Sequence, residues 1–221
     1  MSDRGTPPSS QRPGDRTGTR REYGMTRGKV FPADSARSLV NPLRRLVQSP
    51  DRTIRAAELP PNACVLEVGA GPGFFSPAIA RAVPNGHLVV TDLQGDMVAM
   101  ARQRVRATGP ASVSFARTDA ARLPFADGSF DVVFLATMLG EVPDPHHCVA
   151  EMRRVLAPDG VAAIAETRRD SDFIPIDVLR DLMASHAFAL LGRRGSRWQY
   201  IARFQATDRA LAPDADRRAP G

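Results

Sequence analysis

Residues Val65-Leu66-Glu67-Val68-Gly69-Ala70-Gly71-Pro72-Gly73-Phe74-Phe75-Ser76 constrain this chain more than any other stretch. Cys64 to Val68 is apolar except for one carboxylate and reads as a buried strand. Three glycines follow at alternate positions, and Phe74 to Val83 then resumes a helical spacing with Phe75, Ile79 and Val83 on one face. A strand, a tight turn and a helix thus follow one another directly. Glycine admits positive φ and lets a ligand approach the backbone where a Cβ would block it, so such a corner suits a nucleotide-like ligand. The dinucleotide fingerprint G-x-G-x-x-G needs a different spacing from the G-x-G-x-G found here. Glu67 also sits two residues before the first glycine, where its charge repels a pyrophosphate and welcomes an ammonium group.

The combination E-x-G-x-G-x-G, formed by Glu67, Gly69, Gly71 and Gly73, resembles the first motif of class I S-adenosylmethionine (SAM) dependent methyltransferases. In that family the turn, which here includes Ala70, wraps the methionine part of the cofactor. A second β-branched strand, His87 to Thr91, ends at Asp92, 21 residues beyond Gly71. Doubly wound nucleotide folds put a carboxylate there because two vicinal hydroxyls of a ribose can both donate to it. The resemblance further implies that Leu93 and Met97 lie against the adenine. After a helix over Gly95 to Ala107 and a third strand, Ser112 to Ala116, it implies that Asp119, followed by Ala120, accepts a hydrogen bond from the adenine amine.

Leu123-Pro124-Phe125-Ala126-Asp127-Gly128-Ser129-Phe130-Asp131 is very similar to a stretch of the ubiquinone and menaquinone biosynthesis methyltransferases and their relatives. It leads into a central strand, Asp131 to Ala136, whose end at Ala136 and following loop, Thr137 to Asp144, should stand beside the sulfonium methyl. Glu141 is the best-placed candidate for a general base in that loop. Enzymes that methylate base amino groups tend to carry Asn or Asp, Pro-Pro and an aromatic residue here; Thr-Met-Leu-Gly-Glu-Val-Pro-Asp does not. A helix from Pro145 to Leu156, a fifth strand from Val161 to Glu166, a helix from Pro175 to Ala187 and a hairpin of Phe188 to Gly192 with Trp198 to Gln205 complete the pattern. The expected fold class is α/β: a Rossmann-like seven-stranded methyltransferase sheet, mostly parallel with an antiparallel last strand, and helices on both faces.

Residues 1–29 are rich in Arg, Gly, Pro, Ser and Thr and cannot bury enough surface to order themselves, so they are expected to be a disordered basic tail, as is a polar tail over 207–221. Residues 30–206 form the domain. Helices within 34–59 resemble the amino-terminal lid of small-molecule methyltransferases; plain packing on the sheet edge is the alternative. The chain's net charge of +6 does not point to nucleic acid, because Met1 to Lys29 hold seven basic groups against three acidic ones. No metal is expected: His146 and His147 are adjacent and diverge on a helix. Two cysteines without a pairing motif, no apolar run of membrane length and no apolar leader core predict a cytoplasmic protein. The reading is a SAM-dependent methyltransferase acting at oxygen or activated carbon of a small-molecule acceptor. A nicotinamide (NAD) dependent oxidoreductase, an RNA or protein methyltransferase and a SAM-binding protein without turnover stay open.

Overall fold

The structure, a computed structural model, describes residues 48–107 and 112–207. The expected tail over 1–29, the expected tail over 207–221 apart from Thr207, and the part of the expected lid before residue 48 lie outside them. The elements, in chain order, are α1 (Pro50–Ala57), β1 (Cys64–Val68), α2 (Ser76–Ala82), β2 (His87–Asp92), α3 (Gly95–Arg106), β3 (Val113–Arg117), β4 (Phe130–Ala136), α4 (Pro145–Val155), β5 (Leu156–Thr167), α5 (Ile176–Ala184), β6 (Phe188–Gly195) and β7 (Gln199–Ala206). One seven-stranded sheet has the order β3-β2-β1-β4-β5-β7-β6. The first five strands run parallel, and β7 is antiparallel to both β5 and β6, as the sequence pattern led us to expect.

Apolar residues on successive positions of the central strands give the sheet two buried faces, because side chains alternate sides. On β4, Val132 and Phe134 join Ile54 of α1, Ile79 of α2 and Ala101 of α3. Val133 and Leu135 point the other way, into Cys148, Val149 and Met152 of α4 and Leu179 and Met183 of α5. The helix α1 starts on Ser49, whose hydroxyl accepts from Arg52 N–H, and continues with Pro50 in its first turn. It packs on α2 and β7, with an Asp51–Arg81 ion pair at 2.6 Å. This part of the segment expected as a lid therefore lies on the sheet's flank.

Most element ends fall within a residue or two of expectation, but β5 begins five residues early, at Leu156. Its pairing with β4 jumps from Phe130–Leu156 to Val132–Val161, so a bulge absorbs the turn Ala157-Pro158-Asp159-Gly160 into the strand. Of the hairpin strands, β6 is likewise longer than expected and runs to Gly195, whereas β7 keeps its expected length, shifted by one residue.

The stretch Leu123–Asp131 is held down by one side chain. Arg154 on α4 donates to the Leu123 and Phe125 carbonyls, each at 2.8 Å, and to Asp127 and Glu151 at 2.7 to 2.8 Å. Glu151 in turn accepts from Leu123 N–H at 2.8 Å. At the far end Asp131 accepts from Cys64 N–H at 2.7 Å, tying the stretch to β1. Replacing Arg154 by Met strands two backbone carbonyls and an acid. We predict a loss of about 2 kcal/mol in unfolding free energy, measured by urea denaturation followed by circular dichroism.

Candidate functional site

The carboxyl ends of the parallel strands surround a cavity of about 560 Å³. It opens where the strand order reverses between β1 and β4, the position at which open α/β sheets bind ligands. The turn after β1 forms its floor. Gly69, Gly71 and Gly73 have φ of 65°, 54° and 77°, so all three are left-handed, a conformation costly for residues with a Cβ. Nothing lies within 4 Å of the place where a Gly71 Cβ would be, so that face of the turn is open to a ligand. A Cβ on Gly69 would instead meet the Met138 side chain at 2.8 Å, which brings the loop after β4 over the turn.

Acidic groups dominate the polar wall. Asp92, at the end of β2, accepts from Gly71 N–H at 2.8 Å with Oδ2 and from Gln94 N–H at 2.9 Å with Oδ1. It thereby shapes the glycine turn and still has lone pairs to offer. Burial raises its carboxyl, while the Gln94 and Gly71 N–H groups hold it down. Glu67 is 2% exposed, its Oε2 has no hydrogen-bond partner, and burial pushes its carboxyl up to about 8. The nearby Ser76 hydroxyl, although outside hydrogen-bonding geometry, opposes this, and the Asp92 charge adds to it. Asp119, after β3, accepts from Ala121 N–H at 2.9 Å with Oδ1.

Eleven of the twelve residues singled out from the sequence line this one cavity: Glu67, Gly69, Ala70, Gly71, Asp92, Leu93, Met97, Asp119, Ala120, Ala136 and Glu141. Gly73 does not. A Cβ there would come within 2.7 Å of Ala101 Cα, so its backbone serves the close packing of the turn on α3. Leu93 is 44% exposed, an apolar side chain at the rim, whereas Met97 is buried. His146 and His147 lie at the start of α4; the His146 Nδ1 meets His186 Nε2 at 3.0 Å, and neither residue lines the cavity.

The opposite wall comes from the loops after β4 and β5; the sequence pointed to the first of them, Thr137 to Asp144, but named only Glu141 in it and no residue of the second. Thr137, Met138, Val142 and Pro143 contribute from the first, and Arg169, Asp170, Ser171 and Asp172 from the second. Thr137 is a β-branched residue at φ 50°, held there by its N–H bond to the Ala165 carbonyl at 2.9 Å, a strained corner of the kind found beside binding sites. Asp170 and Asp172 lie beside Glu141 on this wall, one carboxylate oxygen of each within 4.8 Å of the others. Burial first, then these two charges and Asp92, push the Glu141 carboxyl up to about 7. The polar run Arg168–Asp172 directly after a buried strand was the signal available for this wall.

The arrangement fits a ligand with an ammonium group and vicinal hydroxyls. The orphaned Glu67 oxygen seeks a cation, the open face of Gly71 admits a main chain or sulfur, and Asp92 has acceptor capacity for a ribose. No described residue supplies the opposite charge to Glu67.

Comparison with known proteins agrees. A family model described as a methyltransferase domain matches residues 65–160. A demethylmenaquinone methyltransferase of Bacillus cytotoxicus is 35% identical over 52% of this chain and 49% of its own. A ubiquinone/menaquinone biosynthesis C-methyltransferase of Burkholderia orbicola is 31% identical over 74% of this chain and 67% of its own. The chain thus spans between about half and two thirds of the length of these relatives. A solved SAM-dependent methyltransferase from Aquifex aeolicus superposes with a TM-score of 0.72 at 21% identity, covering 80% of this chain and 100% of that one.

Glu67 gives the site a pH signature. Its folded pKa of about 8 lies above the unfolded value of 4.5, so the folded protein keeps a proton that the unfolded chain releases. The stability this group contributes is complete below about pH 4.5 and is lost as pH rises to about 8. The slope is about 1.4 kcal/mol per pH unit. Urea unfolding at pH 5, 6.5 and 8 should show a decline to which the raised carboxyls of Glu141 and Glu166 add, and Glu67→Gln should make it shallower by the share of Glu67.

Proposed function

The chain belongs to the class I SAM-dependent methyltransferases, and from that footing we propose that it transfers a methyl group from SAM to oxygen or activated carbon of a small-molecule acceptor. The observation that carries this reading is the orphaned carboxylate of Glu67 beside a left-handed glycine turn that Asp92 ties down. Glu67 would take the ammonium group, Asp92 the ribose hydroxyls, and Asp119 the adenine amine, with Leu93 and Met97 against the ring. When bound, the cofactor supplies a methyl group already activated on a sulfonium sulfur. The chain's own part is to align an acceptor with it and to exclude water.

Phe75, Met138, Val142 and Pro143 give the acceptor side an apolar lining, and Glu141 is the carboxylate placed to receive a proton. Its carboxyl near 7 suits proton transfer at neutral pH. The relatives named for C-methylation in ubiquinone and menaquinone biosynthesis support a small-molecule acceptor over nucleic acid. No helix among the described residues is long and apolar enough to cross a membrane. Both cysteines are free, and burial pushes the Cys148 thiol up to about 12, as suits a packing residue; a cytoplasmic location belongs to this reading.

Calorimetric titration with SAM, S-adenosylhomocysteine and NAD tests the proposal. SAM and S-adenosylhomocysteine should bind and NAD should not, and tight NAD binding without response to S-adenosylhomocysteine would overturn it. Asp92→Ala should weaken S-adenosylhomocysteine by about 1.5 to 3 kcal/mol, the scale of charge-assisted hydrogen bonds.

A further inference from the structure

We propose that the tip of the β6–β7 hairpin is a docking surface for an anionic phospholipid bilayer. Residues 191–198, Leu-Gly-Arg-Arg-Gly-Ser-Arg-Trp, are all exposed, and 187–207 hold four arginines and no acidic residue. Trp198 is 55% exposed and is the chain's single tryptophan. Arg168 N–H donates to the Trp198 carbonyl at 2.8 Å, so the loop after β5 adds the exposed Arg168 and Arg169 to the same surface. Two guanidinium groups lie over the Trp198 ring, that of Arg168 at 4.9 Å from its centre and that of Arg197 at 5.1 Å. The turn is built to present them. Gly195 has φ 111°, and a Cβ on it would fall 2.4 Å from the Gln199 carbonyl oxygen. Ser196 N–H donates to that carbonyl at 2.8 Å, and Trp198 N–H donates to Ser196 Oγ at 3.1 Å.

The positive charge here is a local excess. The described residues hold 17 arginines and 17 acidic residues, so the domain as a whole is balanced while this tip is not. Arg194 pairs with Glu58 at 2.9 Å, but no carboxylate of the described residues forms an ion pair with Arg168, Arg169, Arg193 or Arg197. The rest of the chain carries no counter-charge to cover them. Residues 1–47 hold ten basic groups against four acidic ones, and 208–221 hold three of each. The charge therefore calls for an anion from outside the chain. A headgroup layer suits this combination, because tryptophan settles at the membrane–water boundary and arginines near the surface are drawn to anionic lipids. Single-stranded nucleic acid fits less well, since a base needs an aromatic face to stack on and the Trp198 ring already carries two guanidinium groups.

Arg169 also lines the cavity, so docking by this tip would bring the cavity mouth to the bilayer. Only the consequence that an apolar acceptor then enters from the lipid rests on the methyltransferase reading; the docking surface does not. The full chain is titrated with vesicles of phosphatidylcholine alone and of an equal mixture with phosphatidylglycerol, while tryptophan emission is followed. With one tryptophan in the chain, the signal reports the tip. We expect the anionic vesicles alone to move the emission to shorter wavelength, and acyl-brominated lipid in them to quench it. The double variant Arg193→Gln, Arg197→Gln, confirmed as folded by circular dichroism, should bind these vesicles about tenfold more weakly or worse. Vesicle binding that leaves the Trp198 emission unchanged would place the contact on another basic segment and overturn the proposal. So would absence of binding, or a folded double variant that keeps its full affinity. A uridine oligonucleotide that quenches Trp198 where vesicles do not would assign the tip to nucleic acid instead. S-adenosylhomocysteine titrated without vesicles separates the two readings. Cofactor binding without vesicle binding removes only the docking surface, and vesicle binding without cofactor binding removes only the methyltransferase assignment.

Discussion

A carboxylate withheld from water with one oxygen unpartnered is the constraint on which the rest of the site depends. Burying Glu67 at the end of β1 is unfavourable by itself, because an isolated charge loses its hydration and the group answers by holding its proton. The surrounding structure fixes the position all the same. The Thr91 hydroxyl donates to the Glu67 carbonyl at 2.9 Å, Ala70 N–H donates to the Thr91 carbonyl at 2.9 Å, and Asp92 takes Gly71 N–H. Adjacent strands β1 and β2 therefore present their carboxylates on the two sides of one turn. Under the proposed function, a ligand with an ammonium group and a diol would meet a pair already held in place by these bonds, which is the economy of preorganisation.

This half of the site was legible in the sequence because each part of it is local. A carboxylate at the end of an apolar run, followed by glycines at alternate positions, specifies strand, turn and charge within a dozen residues. Asp92 and Asp119 follow from the same logic at the next two strand ends. The other half was legible only in the loop Thr137 to Asp144 and its Glu141. Asp170 and Asp172 reach Glu141 only because β5 lies beside β4 and because Gly140 permits the loops to touch, and no local spacing reports that approach. Gly73 shows the limit from the other direction. Its place in the motif suggested the ligand, but its backbone is spent on Ala101 of α3. The long β5 was missed for a related reason: Pro158-Asp159-Gly160 has turn chemistry, and pairing with β4 overrides it.

The stretch most specific to the resembling family, Leu123–Asp131, contributes no residue to the cavity. Arg154 and Glu151 clamp its backbone to α4, Phe125 stacks edge-on against Phe130 at 5.1 Å, and Asp131 caps the start of β1. Its work is to deliver β4 in register between β1 and β5, and so to set the loop that carries Met138 and Glu141. Under the proposed function, family identity and acceptor choice are written in different places. The first lies in a structural clamp and a glycine turn, and the second would fall to two loops that meet only in the folded chain.

Hydrogen exchange of the full chain with and without S-adenosylhomocysteine tests the central claim most directly, because it reads the whole backbone at once. The account predicts added protection at residues 67–73, 92–97 and 118–121, with the clamped stretch 123–131 unchanged. Protection confined to other segments, or none at saturating ligand, would contradict it.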